Sequence, residues 1–160
     1  MLDAGLRASE TVRLLVEDWT PAQRSLLVRC GKGQRDRTVF VSPTTARAIR
    51  DSLGVRHLVA REDFLFVTED GRPLTPRFLV HLCHRLSRKA GLPSNRRLHP
   101  HALRHLAATS WLRNGVGLDE VRRLLGRSTL DTTLRYSNLV SADLRRAHRM
   151  AAVVERMRLE

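Results

Sequence analysis

The chain has 160 residues, enough for one domain with a real core and too few for two, and it is 42% apolar but only 4% aromatic. Leu, Val and Ala must therefore build the interior, which favours helices; no apolar run reaches bilayer-spanning length, and no signal peptide is expected. Twenty-nine basic against sixteen acidic residues leave a net charge of +13, for which a polyanionic partner is the simplest reason, nucleic acid before a membrane surface.

In chain order, the first predicted element is a β-hairpin, "SLLVRCGKGQRDRTVFV" (residues 25–41), with two strand-like runs around a Gly-Lys-Gly turn. "SPTTARAIRDSL" follows as a helix with Ser42 as N-cap and Pro43 at the first position. "FLFV" (residues 64–67), closed by "EDG", reads as a third short strand and a turn. "TPRFLVHLCHRLSRKAG" repeats the helix device with Thr75, Pro76 and a closing Gly91.

Pro100 opens a further helix that Asn114 or Gly115 stops, and "GLDEVRRLLG" aligns Leu118, Val121, Leu124 and Leu125 before Gly126. A short helix from Ser128 to near Tyr136 is expected next. A tail helix from Ser141 then stacks Leu144, Ala147, Ala151 and Val154. The fold class expected is α+β, mostly α, with a small three-stranded antiparallel sheet, and residues 1–160 form one domain. Its charge is lopsided: residues 1–84 carry a net +3 and residues 85–160 a net +10, so the second half should face the anion. Cys30 and Cys83 lie far apart without a partner motif, as reduced thiols of a cytosolic protein would.

"LHPHALRHLAATSWL" (residues 98–112) holds three histidines and an arginine within seven positions. His101 and His105 have zinc-helix spacing, but the residues between them are Ala102, Leu103 and Arg104, with no intervening Glu, and a fixed guanidinium repels a cation. Capping or core histidines are the plain alternative. His101 and Arg104, three apart in a first turn with free N–H groups, also suit a phosphate, and the helix dipole there favours a neutral imidazole able to accept a proton. Tyr136 is the only tyrosine, a packing residue or a nucleophile. Lys32 is one of two lysines against 27 arginines, and an ammonium can surrender a proton where a guanidinium cannot; a solvated turn lysine is the alternative.

Together these stretches resemble the catalytic domain of the tyrosine recombinase, or phage integrase, family. "GLRASE" resembles its first arginine box, giving Arg7 and the supporting acid Glu10, and "GKGQRDR" its lysine hairpin, giving Lys32. "HPHALRHLAAT" is similar to its His-x-x-Arg box, giving His101, Arg104 and the second histidine His105. "LLGRSTLDTTLRY" is similar to its last box, giving Tyr136 as nucleophile. Each motif alone is weak; four in order with the right gaps are strong.

The resemblance implies that Tyr136 attacks a DNA phosphodiester to leave a 3′-phosphotyrosyl link and a free 5′-hydroxyl. Arg7 and Arg104 would hold the non-bridging oxygens, Lys32 would protonate the leaving oxygen, and His101 would help remove the phenol proton. No cofactor is called for. The partners implied are double-stranded DNA and further copies of the chain in a tetramer, with the tail helix docking on a neighbour or packing on its own domain. Two departures stand out. Arg127 occupies the position where the family usually has His or Trp; it can donate the same hydrogen bond, or it marks a decayed, DNA-binding remnant. Arg7 lies close to the start, so the helix that precedes this box in the family, and the core-binding domain before it, are expected to be missing, leaving apolar surface uncovered and weak, salt-sensitive DNA affinity. A type IB topoisomerase-like relaxing activity is a third possibility that shares the chemistry.

Overall fold

The computed structural model describes residues 1–29, 36–56 and 63–126. Five helices and one antiparallel sheet make up this part: α1 (Ala8–Thr11), β1 (Trp19–Thr20), β2 (Ser25–Val28), β3 (Arg37–Phe40), α2 (Pro43–Arg56), α3 (Pro76–Lys89), α4 (Pro100–Arg113) and α5 (Leu118–Leu125). Short 3-10 turns at Val16–Asp18 and Ser94–Arg96 complete it. The described residues are mostly helical with one three-stranded antiparallel sheet, the class expected from the predicted elements.

The sheet order is β1-β2-β3, with Trp19 opposite Leu26 and Leu26 opposite Val39. β2 and β3 are the expected hairpin arms. The expected third strand at residues 64–67 is corrected: that place belongs to β1. Phe64 pairs with Leu15, and Val67 with Pro73, as isolated bridges outside the named strands, and Pro73 has no N–H with which to extend a ladder. Leu65, 1% exposed, instead drives this segment into the core beside the sheet, held by its N–H donating to Leu14 O at 2.7 Å.

Two apolar clusters hold the elements together. One lies under the sheet and joins Leu6, Trp19, Leu26, Val39, Ile49 and Leu65; the other packs Ala108 and Leu112 of α4 against Val121 and Leu125 of α5. The capping expected from sequence fixes where helices begin. Thr45 N donates to Ser42 Oγ at 3.3 Å and Phe78 N to Thr75 Oγ1 at 3.1 Å, with proline at the following position each time. α4 ends at Asn114, and α5 ends at Gly126 in the left-handed region (φ 62°).

Cys83 is buried and unbridged, and burial pushes its thiol up from the usual range; Cys30 lies outside the described residues. Among the described residues no helix is long and apolar enough to cross a membrane. The helices expected after Ser128 and from Ser141 fall outside them as well.

Candidate active site

The site is organised around Glu10. Arg7 is the N-cap of α1, and its own N–H donates to Glu10 Oε2 at 2.7 Å, so the carboxylate folds back over the helix start by the logic of a capping box. Three guanidiniums then converge on this one acid. Arg7 Nη1 donates to Oε1 at 2.8 Å; Arg37 Nη1 and Nη2 donate to Oε1 and Oε2 at 3.0 and 2.9 Å; Arg104 Nη1 lies 3.5 Å from Oε2. Burial works against the charge on Glu10, but the hydrogen bonds and charge of Arg37, with those of Arg7, hold its pKa down to about 2 from 4.5.

Arg104 reaches this cluster from within the fold. It is 2% exposed and follows the same helical stripe as Ala107, Ala108 and Leu112, so a charge occupies a core position. Its Nη1 donates to Gly5 O at 2.7 Å and its Nη2 to Leu125 O at 2.6 Å, tying the first loop to the last turn of α5. Arg37 Nε donates to the neighbouring carbonyl, Leu124 O, at 2.9 Å. Two arginines thus satisfy carbonyls at the negative end of α5, where such groups have no partner within the helix.

Glycine is required at both ends of this assembly. Gly5 has φ 62°, and a Cβ there would stand 2.7 Å from Trp111 Cη2; Gly126 has φ 62°, and a Cβ there would stand 2.6 Å from Arg37 Nη1.

Of the residues expected from sequence, the fold brings Arg7, Glu10 and Arg104 together. His101 and His105 lie on α4 beside them with exposed side chains. His99 turns out to be the cap of this helix, its Nδ1 accepting from Ala102 N at 3.1 Å, which accounts for one histidine of the three. Lys32, Arg127 and Tyr136 lie outside the described residues. Among the described residues no group of three or more His, Cys, Asp or Glu gathers to hold a metal.

Arg37 was not among the expected residues, although it ends the stretch "GKGQRDR". The signal was its register: Arg37, Val39 and Val41 alternate with exposed Thr38 and Phe40, so the arginine shares the inward side of β3 with two core valines.

A second basic feature lies on α3. His81, His84, Arg85 and Arg88, with Arg97 from the following turn, line a groove of about 380 Å³ that also takes in Phe78 and Leu82.

These features define a class of protein. The phage integrase family model matches residues 1–142, and the chain belongs to that family. It is 35% identical over 146 residues to tyrosine recombinase XerC of Listeria monocytogenes serotype 4b (strain F2365), covering 88% of this chain and 48% of that one. Its fold matches a crystal structure of XerA recombinase with a TM-score of 0.80 at 30% identity, covering 92% of this chain and 54% of that chain. It also matches XerH site-specific recombinase bound to palindromic difH substrate in a post-cleavage complex, with a TM-score of 0.75 at 26% identity over 96% of this chain and 43% of that one. The chain spans about half the length of the relatives it matches.

Proposed function

We propose that this chain is the catalytic portion of a site-specific DNA recombinase that cuts and rejoins strands through a 3′-phosphotyrosyl intermediate. The observation that carries the reading is the convergence of Arg7, Arg37 and Arg104 on Glu10, which joins three separate stretches of the four-box pattern in one positively charged place. Membership of the phage integrase family, and likeness to a recombinase solved with DNA, support it.

In this reading the Tyr136 oxygen attacks the phosphorus of a DNA phosphodiester and the bond to the 5′-oxygen breaks. The phenol proton, which at a pKa of about 10 does not leave readily at neutral pH, passes to His101. Lys32 gives a proton to the departing 5′-oxygen, leaving a 5′-hydroxyl, and attack by the hydroxyl of a partner strand reverses the sequence. The ester bond energy is retained in the phosphotyrosine, so no nucleotide hydrolysis is needed.

Arg7 and Arg104 offset the charge that builds on the non-bridging oxygens. Preorganised donors in a partly dry site are worth far more than the same groups in water. Arg7, 36% exposed, is the one open to an incoming phosphate; Arg104 acts from beneath it with its nitrogens held by backbone carbonyls. Arg127 supplies a further donor to the phosphate, and His105 supports His101. The basic groove on α3 is the surface offered to the duplex, its guanidiniums meeting backbone phosphates. Synapsis of two duplexes calls for a tetramer of the chain.

A library of nicked duplexes with a randomised core tests this and finds the site. Covalent protein–DNA adducts, recovered after denaturation and sequenced, are expected from the parent chain and absent from Tyr136→Phe. Salt-sensitive binding without any adduct from the parent would instead identify a DNA-binding remnant, and relaxation of supercoiled plasmid without recombinants a topoisomerase-like enzyme.

A further inference from the structure

Arg37 joins three parts of the site through three directions of one planar group. Its terminal nitrogens fork onto both oxygens of Glu10 at 3.0 and 2.9 Å, while its Nε holds Leu124 O at 2.9 Å. The side chain is 9% exposed and lies against Gly126, where a Cβ would stand 2.6 Å from Nη1 and 2.9 Å from Cζ. With both terminal nitrogens forked onto Glu10, Nε on Leu124 and an inward register on β3, Arg37 is built into the fold and turns its guanidinium to the carboxylate. The two-bond fork is the strongest carboxylate geometry open to a side chain, and a lysine could not make it and also hold Leu124.

The charge balance shows what the fork achieves. Three guanidiniums around one carboxylate leave the cluster two positive charges; without Arg37 the same carboxylate would offset half the charge of Arg7 and Arg104. We propose that Arg37 is a positioning residue of the strand-transfer site: it takes up the charge of Glu10, so that Arg7 and Arg104 keep theirs for the phosphodiester. This rests on the recombinase reading and deepens it by adding a residue that never touches the DNA.

The test is a double-mutant cycle on the full chain, read as the rate of adduct formation on a nicked duplex recovered from the randomised library. Arg37→Gln is expected to slow the parent by about 10- to 100-fold, as loss of a group that orients a site does. In a Glu10→Gln background the same change is expected to cost no more than about 2-fold, because no carboxylate remains to neutralise. A purely structural arginine, acting through Leu124, would cost the same in both backgrounds, and that result would overturn the proposal.

Arg37→Met, a neutral side chain whose apolar stem suits the inward side of β3, keeps the inference testable where Gln fails to fold. Followed by NMR of the Glu10 carboxyl, with Arg7, Arg37 and Arg104 as the charges facing it, this variant should raise the titration midpoint by about one pH unit or more. An unmoved midpoint would overturn the proposal. Absence of adduct from the parent chain would refute the strand-transfer role, and with it the purpose given to Arg37, while the NMR titration would still show whether Arg37 governs Glu10.

Discussion

Replacing Glu10 with Gln removes the only negative charge from a cluster of three arginines among the described residues, two of them nearly buried. The carboxylate, with a side chain 10% exposed, is held at about 2 against an ordinary 4.5. At about 1.4 kcal/mol for each pH unit this linkage amounts to about 3 kcal/mol, and solvent reaching the cluster reduces it to about 2 kcal/mol. Because the folded-state pKa is depressed, the stabilisation is complete above pH 4.5 and is lost as pH falls towards 2. About 60% of it is gone by pH 3. Urea unfolding of the parent and Glu10→Gln, followed by circular dichroism from pH 7 to pH 3, should show a gap of about 2–3 kcal/mol that narrows to about 1 kcal/mol. A gap that stays constant, or widens on acidification, would refute the reasoning, because the stabilisation could not then come from the ionised carboxylate.

Two glycines should respond to alanine with opposite signs. Gly126→Ala forces a left-handed φ of 62° on a side chain and pushes against the pinned Arg37, so a loss of about 2 kcal/mol is expected in chemical unfolding. Gly54→Ala, inside α2 with nothing within 4 Å of the new Cβ, should gain about 0.5–1 kcal/mol in the same assay. Thr75→Ala, which removes the acceptor of Phe78 N–H, is expected to cost about 1 kcal/mol of stability and to leave the acid titration of Glu10 where it is, checked by unfolding and NMR. On the DNA side, Arg85→Ala with Arg88→Ala should flatten the slope of log affinity against log salt by about 2 in fluorescence anisotropy with a duplex; an unchanged slope would mean that the α3 groove faces away from the backbone phosphates.

Much of the helical fold was readable because helix ends are written in local chemistry. Ser42–Pro43, Thr75–Pro76, Pro100 and Gly126 each mark a boundary that one residue's hydrogen bond or backbone angle decides. The third strand was not readable for the converse reason. β1 is two residues long, too short for an alternating pattern, whereas "FLFV" is an apolar run whose length fits a strand equally well as a core insertion. In the site, Arg104 was recognisable by its spacing from His101, and Arg7 and Glu10 by the resemblance of "GLRASE" to the family's first arginine box. Arg37 is not marked out by sequence, because a basic residue in the same hairpin stretch as Lys32 resembles the rest of a solvated turn, and only its inward register with Val39 and Val41 sets it apart. His99 takes the capping alternative open to these histidines: it precedes Pro100 at the helix start, and its Nδ1 accepts from Ala102 N.

The same cluster shows how a protein with a net charge of +13 keeps several arginines close together without driving the fold apart. Arg104 and Arg37 are not paired with acids alone; each also gives a hydrogen bond to a carbonyl at the C-terminal end of α5, where the helix dipole is negative. Glu10 and that helix end thus supply the opposing field within the fold itself. The three arginine side chains are also graded in exposure, with that of Arg7 at 36%, that of Arg37 at 9% and that of Arg104 at 3%. Under the proposed chemistry an incoming phosphate competes with Glu10, and it can draw away most readily the arginine that is least buried. Arg7 would turn its Nη1 to the phosphate while Arg37 keeps the carboxylate neutralised and Arg104 stays fixed beneath. The exchange then costs one ion pair on the open side of the site and leaves the buried ones intact.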